Sequence, residues 1–503
     1  MKTLRSFQKL TEGITPLAAR LPSDDFQVSG LSSDSEQVKP GDIFICLSGS
    51  HADRHDHIEE AVKNGASVIV CERVTDYLTE NSAVSFFRTE STRRAAAFLW
   101  HNFCGRPGDR LTSVAVTGTN GKTTTAHRLC HYLRASGKRV GLVGTTGCFD
   151  ADGKPFRLPS YASSMTTPPP EVLYPMLAEM VGGGCEYLVI EASSHALDQK
   201  RLDPLTFALG IFTNLSPEHL DYHASMEDYF EAKAHLFTLS DSALVNGEDS
   251  YGRRLLASLG KNAASYGIGR ADYDFSAMMP KRLHDGSTRF EFLENNSITR
   301  MRCPLTGRYL LSDDLAALSA ARLFGISVEE LKKAQETAPA VPGRLEKLSL
   351  PGNCDFSVFI DYAHTPDALE KALKVLLTQK RNDARLIVVF GCGGDRDRTK
   401  RPVMGRIASG LADLSVITKD NCRSEKPCTI MDQIKAGIHP GADVRVIEDR
   451  AEAIRWVIGH HKPGDIILLA GKGHETYEID RTGKHPFSER EIVGEAVKNL
   501  LAQ

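Results

Sequence analysis

The sequence predicts an α/β protein built from three units around mostly parallel sheets. Short β-branched or apolar runs alternate with helical stretches along the whole chain, the pattern of parallel strands covered by helices. At 503 residues and roughly 150 residues per domain, about three domains are expected. Two Pro- and Gly-bearing segments then punctuate the chain, RPGDR at 106–110 and TAPAVPGRLE at 337–346, and they set the expected units at 1–108, 109–337 and 338–503.

In the first unit, a smaller α/β domain, GDIFICL and GASVIVCE read as buried strands with a helix at 57–64 between them. The central unit offers LTSVAVTG, RVGLVGT, CEYLVIE and FALGIFTN as strands, with the helix TTTAHRLCHYLRAS after the first. Its stretch 251–302 is more polar and reads as an antiparallel or irregular extension. The last unit repeats the same grammar in a Rossmann-like α/β domain, with strands VFIDYAH, RLIVVFG, LSVIT and DIILLAG and the helix DALEKALKVLLTQ. Each strand runs into a polar or Gly-rich loop, where open α/β sheets carry their sites.

Composition narrows the function. The chain is 41% hydrophobic and 25% charged, and 61 Lys and Arg against 64 Asp and Glu leave a formal charge of −3. That excludes the bulk basic surface of a general nucleic-acid binder. The eleven cysteines are odd in number and contain no C-x-x-C, so neither a disulfide framework nor structural zinc is expected. The N-terminus has no apolar stretch of a signal peptide, and no run approaches the ~18 apolar residues of a membrane span. A cytoplasmic, membrane-free protein that acts as a monomer is the expectation.

The strongest local motif is VAVTGTNGKTT at 114–124. A buried strand enters a loop holding Gly118, Thr119, Asn120, Gly121, Lys122, Thr123 and Thr124, and a helix leaves it, so the central sheet is of P-loop type. Glycines let backbone N–H groups close on phosphate oxygens, and the helix N-terminus adds partial positive charge. Lys122 would neutralise phosphates and Thr123 would offer a hydroxyl to Mg²⁺, although Val116 stands where the full motif has its first glycine. Glu191, at the end of the strand CEYLVIE, suits a metal ligand or a water-orienting group as well as a plain strand-end acid. In TNLSPEHLDYH, His219, Asp221 and His223 could bind metal. Lys233, taken alone, reads as a solvated helix lysine.

In combination, GTNGKTT, EASSHALDQKR, TNLSPEHLDYH, EDYFEAK, DYAHTPDAL, FGCGGDRDR, KRP and AGKGHE, in this order, resemble the Mur ligase family over nearly the whole chain. The resemblance implies an ATP- and Mg²⁺-dependent amide ligase of peptidoglycan synthesis, acting on UDP-MurNAc-L-Ala-D-Glu through an acyl phosphate. It implies that 118–124 cradle ATP, that Thr123 and Glu191 hold one Mg²⁺, that His219 helps hold a second, and that Lys233 is the family's carbamylated lysine. Ser35, Ser50, His51 and Ala52 would grip the nucleotide sugar, with Thr166, Thr167, Ser193, Gln199 and Arg201 on its sugar-peptide part. Arg396, Asn421, Arg423, Gly471 and Glu475 would bind the incoming amino acid. Relatives that add meso-diaminopimelate read Asp-Asn-Pro-Arg here. Arg423 therefore favours that amino acid over L-lysine, which has no distal carboxylate.

The chain departs from the family pattern at four places. Cys422 replaces the proline before Arg423, which frees the loop's φ and is expected to loosen the arginine's aim. Leu310 and Asp313 stand where relatives carry asparagines that position the nucleotide. Glu36 replaces an arginine after Ser35, and Asp53 lacks its following glycine. Two readings compete with this one. Folylpolyglutamate synthetase shares the GTNGK loop but not DYAHTPDAL or DNCR, and a nucleotide-gated regulatory protein without turnover would draw its support from Leu310 and Asp313.

Overall fold

A computed structural model describes residues 5–21, 26–49, 53–284, 286–305 and 307–502. Ser50, His51 and Ala52 lie outside the described residues. Three main sheets follow one another along the chain. The first is five-stranded, in the order Ala18–Arg20, Phe86–Arg88, Val68–Cys71, Asp42–Ile45, Gly30–Ser32, and only its Ala18–Arg20 edge is antiparallel.

The central sheet has ten strands, and Thr112–Thr117 lies in its middle between Tyr187–Glu191 and Leu209–Phe212, parallel to both. The chain leaves Thr112–Thr117 toward one side of the sheet and later fills the other. The crevice at its C-terminal end is therefore a topological switch point, where open α/β sheets bind ligands. The strand is Val-rich and buried on both faces, as a central parallel strand requires. The polar stretch after residue 250 is not irregular throughout: Ser250–Leu259 is a helix whose cap Asp249 accepts from the backbone N–H of Tyr251 and Gly252. Beyond it, Phe275–Arg282, Thr288–Glu294 and Ser297–Cys303 form the expected antiparallel meander.

The third sheet orders Glu346–Lys347, Ser357–Asp361, Ile466–Ala470, Leu386–Phe390, Leu414–Ile417 and Val444–Val446. Helix Pro366–Leu377 starts with proline in its first turn and the Thr365 hydroxyl as cap, both favourable at a helix N-terminus. That N-terminus faces the central unit. Leu310, from helix Arg308–Leu323 of the central unit, is buried in one apolar cluster with Leu345, Phe359, Leu369 and Leu373. A Cβ on Gly307 would come within 2.4 Å of Val375 Cγ2. The two units thus meet through packed side chains beside the loop Gly118–Thr124. No helix among the described residues is long and apolar enough to cross a membrane.

Candidate active site

A cavity of about 700 Å³ runs from Thr119–Thr124 past Glu191, His219 and Arg344 to Arg396, Asn421, Arg423 and Glu475. Its wall is supplied by the ends of strands from the second and third sheets, so a nucleotide end and a cation-bearing end share one space.

At the first end, Thr112–Thr117 turns sharply into helix Lys122–Ala135. Gly118 and Gly121 have φ of +144° and +88°, and a Cβ on Gly118 would lie 1.9 Å from Thr213 Oγ1. Only glycine fits there. Asn214 braces the loop, its carbonyl accepting from Thr119 N at 2.8 Å and its Oδ1 from Asn120 N at 3.0 Å. Thr123 Oγ1 donates to Glu191 Oε2 at 2.9 Å and accepts from Arg344 Nη2 at 2.8 Å. Glu191 is fully buried, its Oε1 held by Thr145 N at 2.9 Å. A carboxylate and a hydroxyl brought together in this way fit Mg²⁺, which takes one or two protein oxygens and fills its octahedron from phosphates and water. Among the described residues no three His, Cys, Asp or Glu side chains converge as a metal cluster. His223 is drawn instead into the core, its Nε2 3.0 Å from Ser194 Oγ, and Asp221 is exposed.

Beside the loop, the Nζ atoms of Lys122 and Lys233 both donate to the Gly118 carbonyl, at 2.9 and 2.8 Å. Lys233 is not a solvated helix lysine: it is 1% exposed, over the Tyr229 ring. Burial, then the neighbouring Lys122, pushes its amine well below the ordinary lysine value, with Glu218 opposing. His219 lines the same cavity with its side chain 43% exposed and its Nε2 3.8 Å from Glu218. His219 adopts φ +56°, and its ring stacks edge-on against His195. Burial pushes the Glu218 carboxyl up, but His364, His219 and Lys122 outweigh it and hold it below the carboxylate range.

The other end is a charged bracket. Fully buried Lys472 donates to Asn421 Oδ1 at 3.0 Å and to the Tyr477 carbonyl at 2.9 Å. Asn421 Oδ1 also accepts from Ile479 N, and its Nδ2 donates to Glu475 Oε2 at 2.9 Å. Asn421 therefore ties the loop together, and Glu475 faces the cavity. Asp420 lies 3.5 Å from Lys472, beside Gly471, whose φ of +115° brings the backbone close to Asp420. Arg423 donates to the Gly394 carbonyl at 2.7 Å, and its own N–H to the Ile479 carbonyl at 3.0 Å. The loosening expected from Cys422 is met by these bonds, and the buried thiol itself donates to the Asp420 carbonyl at 3.2 Å. Burial, then exposed Arg396, lowers the Arg423 value; the two guanidiniums share one region of the cavity. Buried Arg401 pairs with Glu425 at 2.9 Å, which in turn accepts from Asp395 N and braces the Arg396 loop.

The remaining candidates are closer to the second sheet. Thr166 Oγ1 is 3.0 Å from Thr145 Oγ1, and Thr167 Oγ1 donates to the Glu191 carbonyl at 2.7 Å. Ser193 caps helix Ser194–Asp198. Gln199 Oε1 accepts from Arg201, whose Nη1 reaches the Thr167 carbonyl at 2.8 Å. Ser35 is not among the residues lining the cavity: its hydroxyl donates to Glu60 at 2.6 Å. In the His-rich stretch, Asp53 caps its helical turn and holds His55 Nδ1, whose Nε2 accepts from Glu72 N. Glu36 is exposed.

Four contributors escaped the sequence reading. Glu218 and His364, 3.3 Å apart, stood inside motifs that were quoted, in the shadow of their neighbours. Arg344 sat in a segment read as a linker. Asp361 ends a buried strand as Glu191 does, the same signal, and accepts from Leu345 N at 2.5 Å; burial, with Arg344 opposing, raises it to about 6. Replacing Arg344 with lysine, which lacks the planar fork, is expected to lower kcat/KM for the nucleotide about 10- to 100-fold, the usual loss of a charge-assisted hydrogen bond. Steady-state kinetics at saturating second substrates measures it.

The chain matches three family models: Mur ligase family, catalytic domain over residues 27–97, Mur ligase middle domain over 116–321, and Mur ligase, glutamate ligase domain over 343–473. A relative in Clostridium acetobutylicum, named UDP-N-acetylmuramoyl-L-alanyl-D-glutamate--2,6-diaminopimelate ligase 1, is 39% identical over 475 residues, 94% of this chain and 96% of its own length. One in Gloeobacter violaceus, named as the same ligase, is 40% identical and covers 94% of each chain. A solved structure of such a ligase aligns with TM-score 0.69 at 30% identity over 99% of this chain and 100% of its own. A Mycobacterium tuberculosis folylpolyglutamate synthase aligns with TM-score 0.61 at 19% identity over 82% of this chain and 94% of its own, a likeness of fold alone.

Proposed function

We propose, for a chain that belongs to the Mur ligase family, that it joins meso-diaminopimelate to the D-Glu γ-carboxylate of UDP-MurNAc-L-Ala-D-Glu at the expense of ATP. The observation that carries this reading is the continuous cavity, with a phosphate loop at one end, Arg396 and Arg423 at the other and buried Glu191 between. The names of full-length relatives at 39% and 40% identity support the same substrates.

Three units, 1–108, 109–337 and 338–503, would divide the labour among nucleotide sugar, ATP and amino acid. Gly118–Thr124 would enclose the triphosphate, with Lys122 against its charge. Thr123 and Glu191 would hold Mg²⁺, with His219 and a carbamate on Lys233 serving a second ion; bound metal supplies charge neutralisation to the meeting of two anions. Thr166, Thr167, Ser193, Gln199 and Arg201 would orient the muramyl peptide so that its carboxylate oxygen attacks the γ-phosphorus and ADP departs. The amine then attacks the acyl carbon, phosphate leaves and the amine proton goes to solvent. Ser35, Ser50, His51 and Ala52 would take the uridine nucleotide.

At the amino-acid end, Asp420 and Glu475 oppose Arg396 and Arg423, an arrangement complementary to a zwitterion. An amino acid whose far end is itself an amino acid matches it, and this selects meso-diaminopimelate over L-lysine. The test is a ligation assay with UDP-MurNAc-L-Ala-D-Glu, ATP, Mg²⁺ and a panel of amino acids, read by product mass. The expected product is the diaminopimelyl tripeptide with ADP and phosphate. Equal ligation of L-lysine would overturn the amino-acid assignment, and nucleotide binding without phosphate release would overturn the reaction.

A further inference from the structure

Asp313 is a buried acid lining the same end of the cavity as the loop Thr119–Thr124. It lies in the second turn of helix Arg308–Leu323 and is 6% exposed. Its carboxyl is seated on the phosphate loop itself: a Cβ on Gly121 would fall 2.3 Å from Oδ1 and 3.2 Å from Oδ2. The close approach is possible because Gly121 has no side chain, so nothing but backbone separates this acid from the loop's interior. Its own carbonyl accepts from Thr125 Oγ1 at 3.3 Å, which locks the helix against the loop.

The cations facing this carboxyl are engaged elsewhere. Lys371, on helix Pro366–Leu377, pairs with Asp367 at 2.7 Å. Arg344 donates to Thr123, and Lys122 to Gly118 and Thr119. The other polar groups around it are the Thr124 hydroxyl, Asp314 on its own helix, and the phenols of Tyr266 and Tyr309. An ionised carboxylate here would sit against the triphosphate with no cation of its own; a protonated one adds no charge and can donate a hydrogen bond.

We propose that Asp313 is an affinity-determining residue of the nucleotide site, which binds nucleotide with its carboxyl protonated, so that nucleotide binding is coupled to proton uptake. The inference rests on the ligase reading above. Burial raises this carboxyl to about 7, with Lys371 and Arg344 opposing, so the coupling falls within the working range of pH. The sign follows from linkage: below pH 7 the group is protonated and binding is tight, and above it each unit of pH weakens binding by up to tenfold.

Calorimetric titration of the full chain with Mg·ADP tests this, at pH 7 in two buffers of different ionisation enthalpy and then across pH 7 to 9. The wild type is expected to take up roughly half a proton more per nucleotide at pH 7 than Asp313→Asn, whose amide stays neutral. Its Kd rises with pH, while that of Asp313→Asn stays near the low-pH wild-type value. The nucleotide's own phosphate proton is common to both proteins and cancels. Equal proton uptake in the two, or a wild-type Kd flat from pH 7 to 9, overturns the proposal. Asp313→Ser serves as a second neutral variant, and thermal unfolding checks that both fold. Failure of Mg·ADP to bind at any pH would strike the ligase reading itself, an outcome distinct from binding that ignores pH.

Discussion

Replacing Lys233 with alanine is expected to lower ligation about 10²- to 10³-fold, the usual cost of losing one preorganised electrostatic contributor, and small carboxylates or bicarbonate are expected to restore part of it. The reason lies in the shared Gly118 carbonyl. Two ammonium groups on one acceptor repel each other, and burial, then the neighbouring Lys122, lowers the proton affinity of Lys233. A neutral amine is the form that attacks carbon dioxide; the nitrogen–carbon bond forms, a proton leaves and a carbamate anion results. A carbamate there would turn repulsion from Lys122 into attraction and would offer oxygens to a metal ion. Initial rates with and without added acetate measure the effect. Full activity in the alanine variant, or no restoration by any small carboxylate, would remove the carbamate from the account.

Arg423→Ala is expected to lower kcat/KM for meso-diaminopimelate on the order of a hundredfold, the loss when one partner of a buried charged pair is truncated. Use of L-lysine should change little, because L-lysine has no distal carboxylate to lose. Arg423→Lys should recover only a small part, since one ammonium cannot reproduce the planar fork. Arg423 is well placed for this role: φ of +51° and the Gly394 and Ile479 carbonyls fix its direction. Competition between the two amino acids, read by product mass, decides it. An unchanged ratio would move specificity away from this guanidinium.

Much of the architecture was legible because strand and helix periods were clean. Thr112–Thr117, Tyr187–Glu191, Leu386–Phe390 and Ile466–Ala470 are apolar runs ending in polar loops, and the phosphate loop announces itself by its glycines. The helix Ser250–Leu259 was lost in a polar stretch, although Asp249 offered a cap. The site was legible where a residue type is unusual for its place, as with Lys122 after the loop glycines, whereas Arg423 was read only through the family resemblance. It was not legible where chemistry arises from tertiary approach. Nothing in the spacing of Arg344 from Thr123, or of His364 from Glu218, announces that they touch, because these contacts span two units. Lys233 is the reverse case: its local sequence says surface, and only the tertiary fold buries its amine beside Lys122.

Leu310 has a consequence for how the two units can part. It fills a core built by the third sheet's helices, next to Leu369 and Leu373, so separating the two units exposes a whole leucine together with the faces it covers. Exposing one such side chain costs about 1.5–3 kcal/mol, and Leu310 adds that much to the cost of parting the two units. Any motion that opens the cavity along this seam therefore uncovers apolar surface on both units.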